Sequence, residues 1–101
     1  MTSYVLSKDA EADLRDIIRY TRKIWGHKQV NKYRLILKQQ FERIGDDAVI
    51  PRLYSPSLQD VYFVKAGSHF VFYLKSSSPK PIIIGVVHEA RNVLQHLLER
   101  I

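Results

Sequence analysis

The chain has 101 residues, a length that predicts a single domain over residues 1–101, large enough to bury a hydrophobic core. Apolar residues make up 46% and charged residues 26%, which excludes a disordered tail, and no apolar run approaches the roughly 20 residues of a membrane-spanning helix. A net charge of +6 favours an acidic partner, while the absence of cysteine excludes disulfides, zinc–thiolate sites and thiol nucleophiles.

The first part of the chain predicts a short strand followed by a helix. Residues 4–6 form an apolar run, and Ser7 is well suited to cap a helix that ends at Gly26. Apolar residues recur at helical spacing, which predicts one buried face. That face consists of Ala10, Leu14, Ile17, Ile18, Thr21, Ile24 and Trp25.

A second helix is predicted over residues 27–44 and is closed by Gly45, so that one short turn joins two long helices into an antiparallel hairpin. Its stripe consists of Val30, Tyr33, Leu37, Phe41 and Ile44. Leu35 and Ile36 fall off the stripe and are either ordinary exposed aliphatic residues or a protein contact. The basic excess also lies in this half, because residues 1–45 hold ten Lys and Arg against five Asp and Glu.

After a loop-like stretch over residues 45–60, the hydrophobic period changes from 3.6 to 2, which predicts strands over residues 61–65, 68–74 and 82–88. Helical spacing returns from Glu89 to Ile101. The predicted fold is α+β: an N-terminal strand, an antiparallel helical hairpin packed on an antiparallel three-strand meander, and a short C-terminal helix.

A register that places His69 opposite His88 also places Tyr73 opposite Ile84, and it sorts the strand residues into two faces. One face carries Tyr62, Val64, His69, Val71, Tyr73, Ile84, Val86 and His88. The other face is wholly apolar, with Val61, Phe63, Phe70, Phe72, Leu74, Ile83 and Val87. The apolar face is predicted to pack on the helical hairpin, which leaves the tyrosines and histidines open to a partner or to chemistry.

The search for chemistry finds one candidate constellation. The four histidines have no metal-ligand spacing, and no glycine-rich nucleotide-binding motif is present, so we expect neither a metal nor a cofactor. The histidine and tyrosine side chains of the polar face could act as base and acid in RNA cleavage, with an arginine stabilising the phosphate. These residues are His69, Tyr73, His88 and Arg91. The same histidines and tyrosine could equally be structural residues with satisfied polar tips.

Three local patterns occur in an order that matches a known family. They are Ala-Asp-Leu-Arg-Asp-Ile at residues 12–17 with Tyr20 and Trp25-Gly26, Gly-Ser-His-Phe-Val-Phe-Tyr at residues 67–73, and Val-Val-His-Glu-Ala-Arg at residues 86–91 before His96-Leu97. Together they resemble the ParE branch of the RelE/ParE toxin superfamily across nearly the whole chain.

The resemblance implies a bacterial, cytoplasmic toxin of a type II toxin–antitoxin system, of the kind that serves plasmid maintenance. ParE-like toxins poison DNA gyrase by trapping it on cleaved DNA, which inhibits DNA replication, and a ParD-like antitoxin neutralises them in a hetero-oligomer. Such a toxin is not an enzyme, and it meets nucleic acid only within complexes. The alternative is a RelE-type interferase that cleaves mRNA on the ribosome, and a toxin-derived binding module without toxicity is a third interpretation.

Departures from the family pattern weaken the nuclease interpretation more than the gyrase interpretation, and they leave open weak toxicity or an altered target. The segment Gly85-Val86-Val87-His88 lacks the arginine common before the last helix, and Arg91-Asn92 stands where Met-Asp is common. Residues 62–64 also lack the strand arginine that is expected of a ribosome-dependent nuclease. A nuclease needs that arginine more than a gyrase-binding toxin does.

The resemblance and the charge pattern together assign two surfaces. Contact with the target is predicted for His88, Arg91, Leu94, Leu97 and Leu98. Contact with the antitoxin is predicted for Arg15, Arg19, Leu35, Ile36, Tyr62 and Tyr73. An acidic, partly disordered antitoxin tail would lay an amphipathic helix along the helical hairpin and a strand against the sheet edge.

Overall fold

The computed structural model of the chain describes residues 3–75, 79–90 and 100. Its elements in chain order are β1 (Val5–Leu6), α1 (Lys8–Trp25), α2 (His27–Gly45), β2 (Arg52–Ser55), β3 (Leu58–Ala66), β4 (His69–Leu74) and β5 (Ile82–His88). Two helices packed against one sheet confirm the predicted α+β fold. Neither helix is long and apolar enough to cross a bilayer.

The helical hairpin begins and ends where the sequence predicts. Ser7 has extended backbone angles, and its hydroxyl accepts a hydrogen bond from the Ala10 amide at 3.1 Å. This bond satisfies one of the amides that the first helical turn leaves without a partner. Gly26 separates the two helices, and the chain reverses there so that α1 and α2 pack side by side.

The last turn of α1 departs from the predicted buried stripe. Ile24 is 51% exposed and Trp25 is 69% exposed, whereas Thr21, one turn earlier, is buried. Helical periodicity identifies the side of a helix that faces the core but not the point along the axis at which the covering surface ends. An exposed tryptophan therefore stands at the end of α1.

The five strands form one mixed sheet in the order β1-β5-β4-β3-β2. β1 is parallel to β5, and the other neighbours are antiparallel. The stretch over residues 45–60, which was predicted to be a loop, contains β2. This strand pairs with β3 across the turn at Pro56-Ser57. Proline and serine are typical of such turns, so the same residues that indicated a loop close a short hairpin.

The predicted register holds for the first half of the β4–β5 pair and then shifts. His69 lies opposite His88 and Phe72 lies opposite Gly85, but Tyr73 pairs with Ile83 because of a β-bulge. The bulge inserts Ile84 as an extra residue, which reverses the sides that the sequence predicted for Ile83 and Ile84. Ile83 accordingly belongs to the core under the helices, and Ile84 to the opposite face.

The helices cover the face of the sheet that the sequence analysis left open, so that prediction was wrong. The main core joins residues of both helices to the tyrosine-bearing face. Its buried members are Ala10, Leu37, Phe41, Ile44, Ala66, Val71, Tyr73, Ile83 and Val86. The all-apolar face forms a second cluster of strand residues, with Val61, Phe72, Ile84 and Val87 buried.

The tyrosines of the covered face are compatible with burial under the helices. Tyr62 and Tyr73 stack with their ring centroids 5.9 Å apart and pack with the main core. A tyrosine ring is largely apolar, so it can pack in a core under a helix. The predicted C-terminal helix falls mainly on residues 91–99 and 101, which lie outside the described residues.

Candidate functional site

An open groove of about 880 Å³ runs beside α1, the start of α2 and the end of β5. Its volume lies within the range of roughly 300–1,000 Å³ that is usual for binding sites. The polar and aromatic residues that line it include Asp13, Asp16, Tyr20, Trp25, Tyr33, His69 and His88. Both histidines singled out from the sequence therefore lie on one groove.

The Tyr33 hydroxyl ties α2 to the turn between β3 and β4. It donates to the Ala66 carbonyl at 3.2 Å, accepts from the Ser68 amide at 3.0 Å, and hydrogen-bonds the Nδ1 atom of His69. A hydroxyl has one proton and two lone pairs, so these three contacts are satisfied together when His69 Nδ1 carries the proton. That tautomer leaves the Nε2 atom of His69 as an acceptor.

The tight turn beneath Tyr33 depends on glycine. Gly67 has a φ of +60°, and a Cβ placed on it would lie 2.6 Å from the Tyr33 ring. The turn between β3 and β4 falls on Gly67-Ser68, and the close approach of the Tyr33 ring to the backbone is a second reason for glycine there.

The two histidines meet as the predicted register required. Their rings are perpendicular, with centroids 5.2 Å apart. The Nδ1 atom of His88 accepts a hydrogen bond from the Ala90 amide at 3.0 Å, so in neutral His88 the proton lies on Nε2. Burial, and secondly the neighbouring His88, lower the pKa of His69 to about 4. His69 is therefore uncharged at neutral pH, with an acceptor nitrogen beside the donor of His88.

The charges around this pair are largely neutralised by ion pairs. Lys65 contacts Glu89 at 3.0 Å, and the hydrogen bond from Lys65 lowers the pKa of the exposed Glu89 carboxyl. Among the described residues that line the groove, Arg100 is the only Lys or Arg, and it is paired with Asp13 at 2.7 Å. A pentavalent phosphate needs cationic stabilisation, which these residues do not supply.

The structure brings together only part of the predicted catalytic set. Tyr73 is 2% exposed and lies four residues along β4 from His69, about 13 Å away at the usual rise of a strand. Burial also raises the pKa of Tyr73, so its hydroxyl is a poor acid or base. Arg91 lies outside the described residues. The tyrosine that contacts His69 is Tyr33 of α2.

Sequence reasoning missed Tyr33 because its place on the stripe of α2 indicated a core residue. Two features of the sequence could have identified Tyr33. It is an aromatic residue with a hydroxyl on an otherwise apolar stripe, and the Gly-Ser-His turn needs hydrogen-bond partners for its backbone.

Four of the six predicted antitoxin contacts are exposed on the helical hairpin: Arg15, Arg19, Leu35 and Ile36. Leu35 is 56% exposed and Ile36 is 40% exposed. Tyr62 is half-buried, and the burial of Tyr73 removes it from the surface, which corrects its assignment as a partner contact. Tyr20 and Trp25 were not predicted as contacts, yet they are 65% and 69% exposed, and such residues are frequent anchors of protein interfaces.

Of the predicted target contacts, His88 is exposed at the end of β5. Arg91, Leu94, Leu97 and Leu98 lie outside the described residues, so their role stays a prediction.

Comparisons with known proteins agree over most of the chain. Residues 4–93 match the family model described as the ParE toxin of the type II toxin–antitoxin system parDE. Toxin ParE of Escherichia coli is 33% identical over 101 residues, which cover 100% of this chain and 98% of that protein. Toxin ParE1 of Caulobacter vibrioides is 35% identical over 100 residues, which cover 96% of this chain and 99% of that protein.

A solved structure has the same fold. It is a chain of the chromosomal ParDE toxin–antitoxin system from P. aeruginosa, with a TM-score of 0.71, 15% sequence identity, and coverage of 87% of this chain and 96% of that one. The matched family model and the two relatives of nearly equal length establish that this chain belongs to the ParE toxin family of type II toxin–antitoxin systems.

Proposed function

We propose that this ParE-family toxin inhibits DNA gyrase in the bacterial cytoplasm, and that a ParD-like antitoxin neutralises it. The match to the ParE toxin family over residues 4–93 is the observation that carries the proposal. The two curated relatives support it, because they are toxins of the ParE type that align over almost their entire length.

The state of the groove favours this proposal over an mRNA interferase. His69 and His88 supply an acceptor and a donor, but the described lining offers a phosphate only one guanidinium, which is already bound by Asp13. Binding gyrase requires no bond to be made or broken, so it does not require a catalytic set.

The helical hairpin is the proposed surface for the antitoxin. The solved neighbour comes from a ParDE system, a name that pairs a toxin with an antitoxin. In the present chain Leu35 and Ile36 are exposed on α2, and the exposed Lys32 lies about one turn before them. Arg15 and Arg19 are exposed on α1. A helical hairpin that exposes both aliphatic and cationic side chains suits an acidic amphipathic helix.

Induction of the protein in bacterial cells, with plasmid supercoiling and mRNA cleavage measured side by side, tests the target. We expect loss of supercoiling without new mRNA ends. The variant His69→Gln should be as toxic as the wild type, because gyrase binding needs no general base. Ribosome-dependent mRNA cleavage that His69→Gln abolishes would instead establish the interferase, and a protein without toxicity would indicate a binding module.

A further inference from the structure

Positive charge is concentrated in one stretch of the helical hairpin. Residues 17–41 hold seven Lys and Arg and no Asp or Glu, whereas the rest of the chain holds nine Lys and Arg against ten Asp and Glu. The stretch runs from the middle of α1 through Gly26 and along most of α2. It therefore accounts for the entire net positive charge of the chain.

The cationic side chains of this stretch reach solvent largely without carboxylate partners. All seven are exposed: Arg19, Arg22, Lys23, Lys28, Lys32, Arg34 and Lys38. Among the described residues, the one ion pair that they form is the surface contact of Arg19 with Asp16 at 3.7 Å. Elsewhere in the chain, Lys65 and Lys75 each meet a carboxylate at 3.0 Å. Like charges that lack counter-charges repel one another, and a bound polyanion relieves that repulsion.

The tip of the hairpin, which consists of Tyr20, Arg22, Lys23, Trp25 and Lys28, combines cations with exposed aromatic rings. Arg22 and Lys23 lie in the last turn of α1 and Lys28 lies in the first turn of α2, so the reversal between the helices brings three cations to one end of the hairpin. Tyr20 is 65% exposed and Trp25 is 69% exposed. Large aromatic rings are thus presented to solvent among positive charges.

This composition favours a nucleic acid over a protein as the partner of the tip. Lysine is depleted in protein–protein interfaces, whereas contacts of Lys and Arg with phosphates dominate the binding of nucleic acids. Proteins that bind single strands combine such cations with aromatic side chains on which unpaired bases stack. The proposed antitoxin contacts Leu35 and Ile36 lie about two turns further along α2 than Lys28, so the tip is separate from them.

We propose that the hairpin tip binds a single-stranded nucleic acid, with its three cations on the phosphates and Trp25 stacked on a base. This inference goes beyond the proposed function. It also departs from the expectation, drawn from the family resemblance, that the toxin meets nucleic acid only within complexes. The contacts are to phosphates and base faces, so DNA and RNA strands should bind alike. A duplex should bind more weakly, because its bases are stacked on one another.

Trp25 is itself the reporter for the first experiment, because it is the single tryptophan of the chain. Titration of the purified wild-type protein with an oligothymidylate of about 20 nucleotides should quench the tryptophan emission, and an oligouridylate should do so with an affinity within about threefold. A duplex of equal length should quench the emission less. The affinity for the single strand should fall with salt with a log–log slope of about −2, which corresponds to three phosphates at roughly −0.7 each.

Substitutions separate the charges from the ring. In Lys23→Gln/Lys28→Gln the affinity for a fluorescein-labelled oligothymidylate, measured by anisotropy at low salt, should fall at least about fivefold and the salt slope should become shallower by about 1 to 1.5. Lys8→Gln/Lys75→Gln, which removes two exposed lysines elsewhere, is the matched control and should keep the wild-type slope. Trp25→Ala should weaken binding of the single strand at least about fivefold and of the duplex less than about twofold.

All variants are first shown to fold by circular dichroism melting. A wild-type protein that binds none of the three probes in a salt-dependent way would overturn the inference. Equal losses in the two double-lysine variants would also overturn it, because net charge alone would then attract the strand. If the tip variant instead loses antitoxin affinity while no nucleic acid binds, the tip belongs to the antitoxin surface and the inference is wrong. None of these measurements contains gyrase, so their failure is distinguishable from failure of the proposed function.

Discussion

At the scale of single residues, the hydroxyl of Tyr33 determines the chemistry of the groove. When it donates to Ala66 and accepts from Ser68, the proton of the neutral His69 ring lies on Nδ1. Burial and the nearby His88 then keep that ring neutral. The result is an uncharged His69 ring that lies against His88 beside the groove.

His69 should make the stability of the protein dependent on pH. Its pKa is about 4 in the fold and about 6.5 in the unfolded chain, so the unfolded state binds the proton more tightly. The contribution of the neutral His69 ring to the free energy of unfolding is therefore complete above pH 6.5, and it is lost as the pH falls from 6.5 to 4. Between pH 7 and pH 5 the loss should be on the order of 1 kcal/mol after allowance for the partial exposure of the ring.

Urea unfolding of the wild type and of His69→Gln at pH 7 and pH 5 isolates the contribution of His69 to the pH dependence of stability, because the carboxylates are common to both proteins. The free energy of unfolding of the variant should fall less on acidification. Identical falls in the two proteins would mean that His69 titrates normally in the fold.

Removal of the Tyr33 hydroxyl should destabilise the protein by about 1–3 kcal/mol, because the Ala66 carbonyl and the Ser68 amide lose their partner. Tyr33→Phe keeps the ring that packs over Gly67, so thermal or urea unfolding reports the hydroxyl alone. Tyr20→Phe, at a side chain that is 65% exposed, is the control and should change stability by less than about 0.5 kcal/mol. Equal effects of the two substitutions would contradict the hydrogen-bond arrangement.

At the scale of elements, the sheet has two apolar faces, and each carries its own cluster. The alternation along β4 identified the two sets correctly, but it did not determine which set meets the helices. Phe72 is fully buried in the cluster away from the helices, whereas Phe70 is only partly buried there. The loss of stability on replacing either phenylalanine by alanine should therefore depend on how deeply its ring is buried in the cluster, and not on which face the helices cover.

Phe72→Ala should lower the free energy of unfolding by about 3–5 kcal/mol, because it leaves a cavity in a close-packed cluster. Phe70→Ala, on the same face of the same strand, should cost clearly less because its ring already contacts solvent. Urea titration of both variants makes the comparison. A larger loss for Phe70→Ala would reverse the assignment of the buried position.

Much of the fold could be predicted from the sequence, because local rules determine it. The cap at Ser7, the stop at Gly26 and the meeting of His69 with His88 follow from capping, helix breaking and strand register. The bulge that displaces Ile84, and the burial of Tyr73 under the helices, depend on long-range packing that a single sequence does not encode in its pattern. The same is true of Asp13 and Arg100, which are far apart in the chain and carry no motif that pairs them.

At the scale of the whole molecule, the surface has two parts that differ in charge and shape, the exposed side of the helical hairpin and the groove beside α1. The helical hairpin holds most of the basic excess and exposes aliphatic side chains, while the groove beside α1 is lined by carboxylates, histidines and aromatic rings. An acidic antitoxin and a target could thus contact different parts of one small toxin.

Because the chain carries a net charge of +6, its association with an acidic antitoxin should be steered electrostatically. We expect the association rate to fall by about tenfold or more between roughly 0.05 and 0.5 M salt, with a smaller change in the dissociation rate. Stopped-flow mixing measures both rates. A rate of association that does not respond to salt would remove the electrostatic part of the account.

The hydrophobic part of the antitoxin surface can be tested separately. Leu35→Asp with Ile36→Asp should weaken antitoxin binding by at least about tenfold while stability changes little, because both side chains are exposed. Lys38→Asp, also exposed on α2, controls for the added negative charge. Unchanged affinity in a folded double variant would place the antitoxin elsewhere.

The central claim, that this toxin acts on gyrase and is neutralised by its antitoxin, is tested most directly with purified components. Gyrase, supercoiled plasmid and the wild-type toxin are incubated, and the DNA is resolved after denaturing the enzyme, with and without an excess of a ParD-like antitoxin. The account predicts that the toxin converts supercoiled plasmid to linear, gyrase-cleaved DNA and that the antitoxin abolishes the conversion. Intact gyrase activity at a large excess of folded toxin would contradict it.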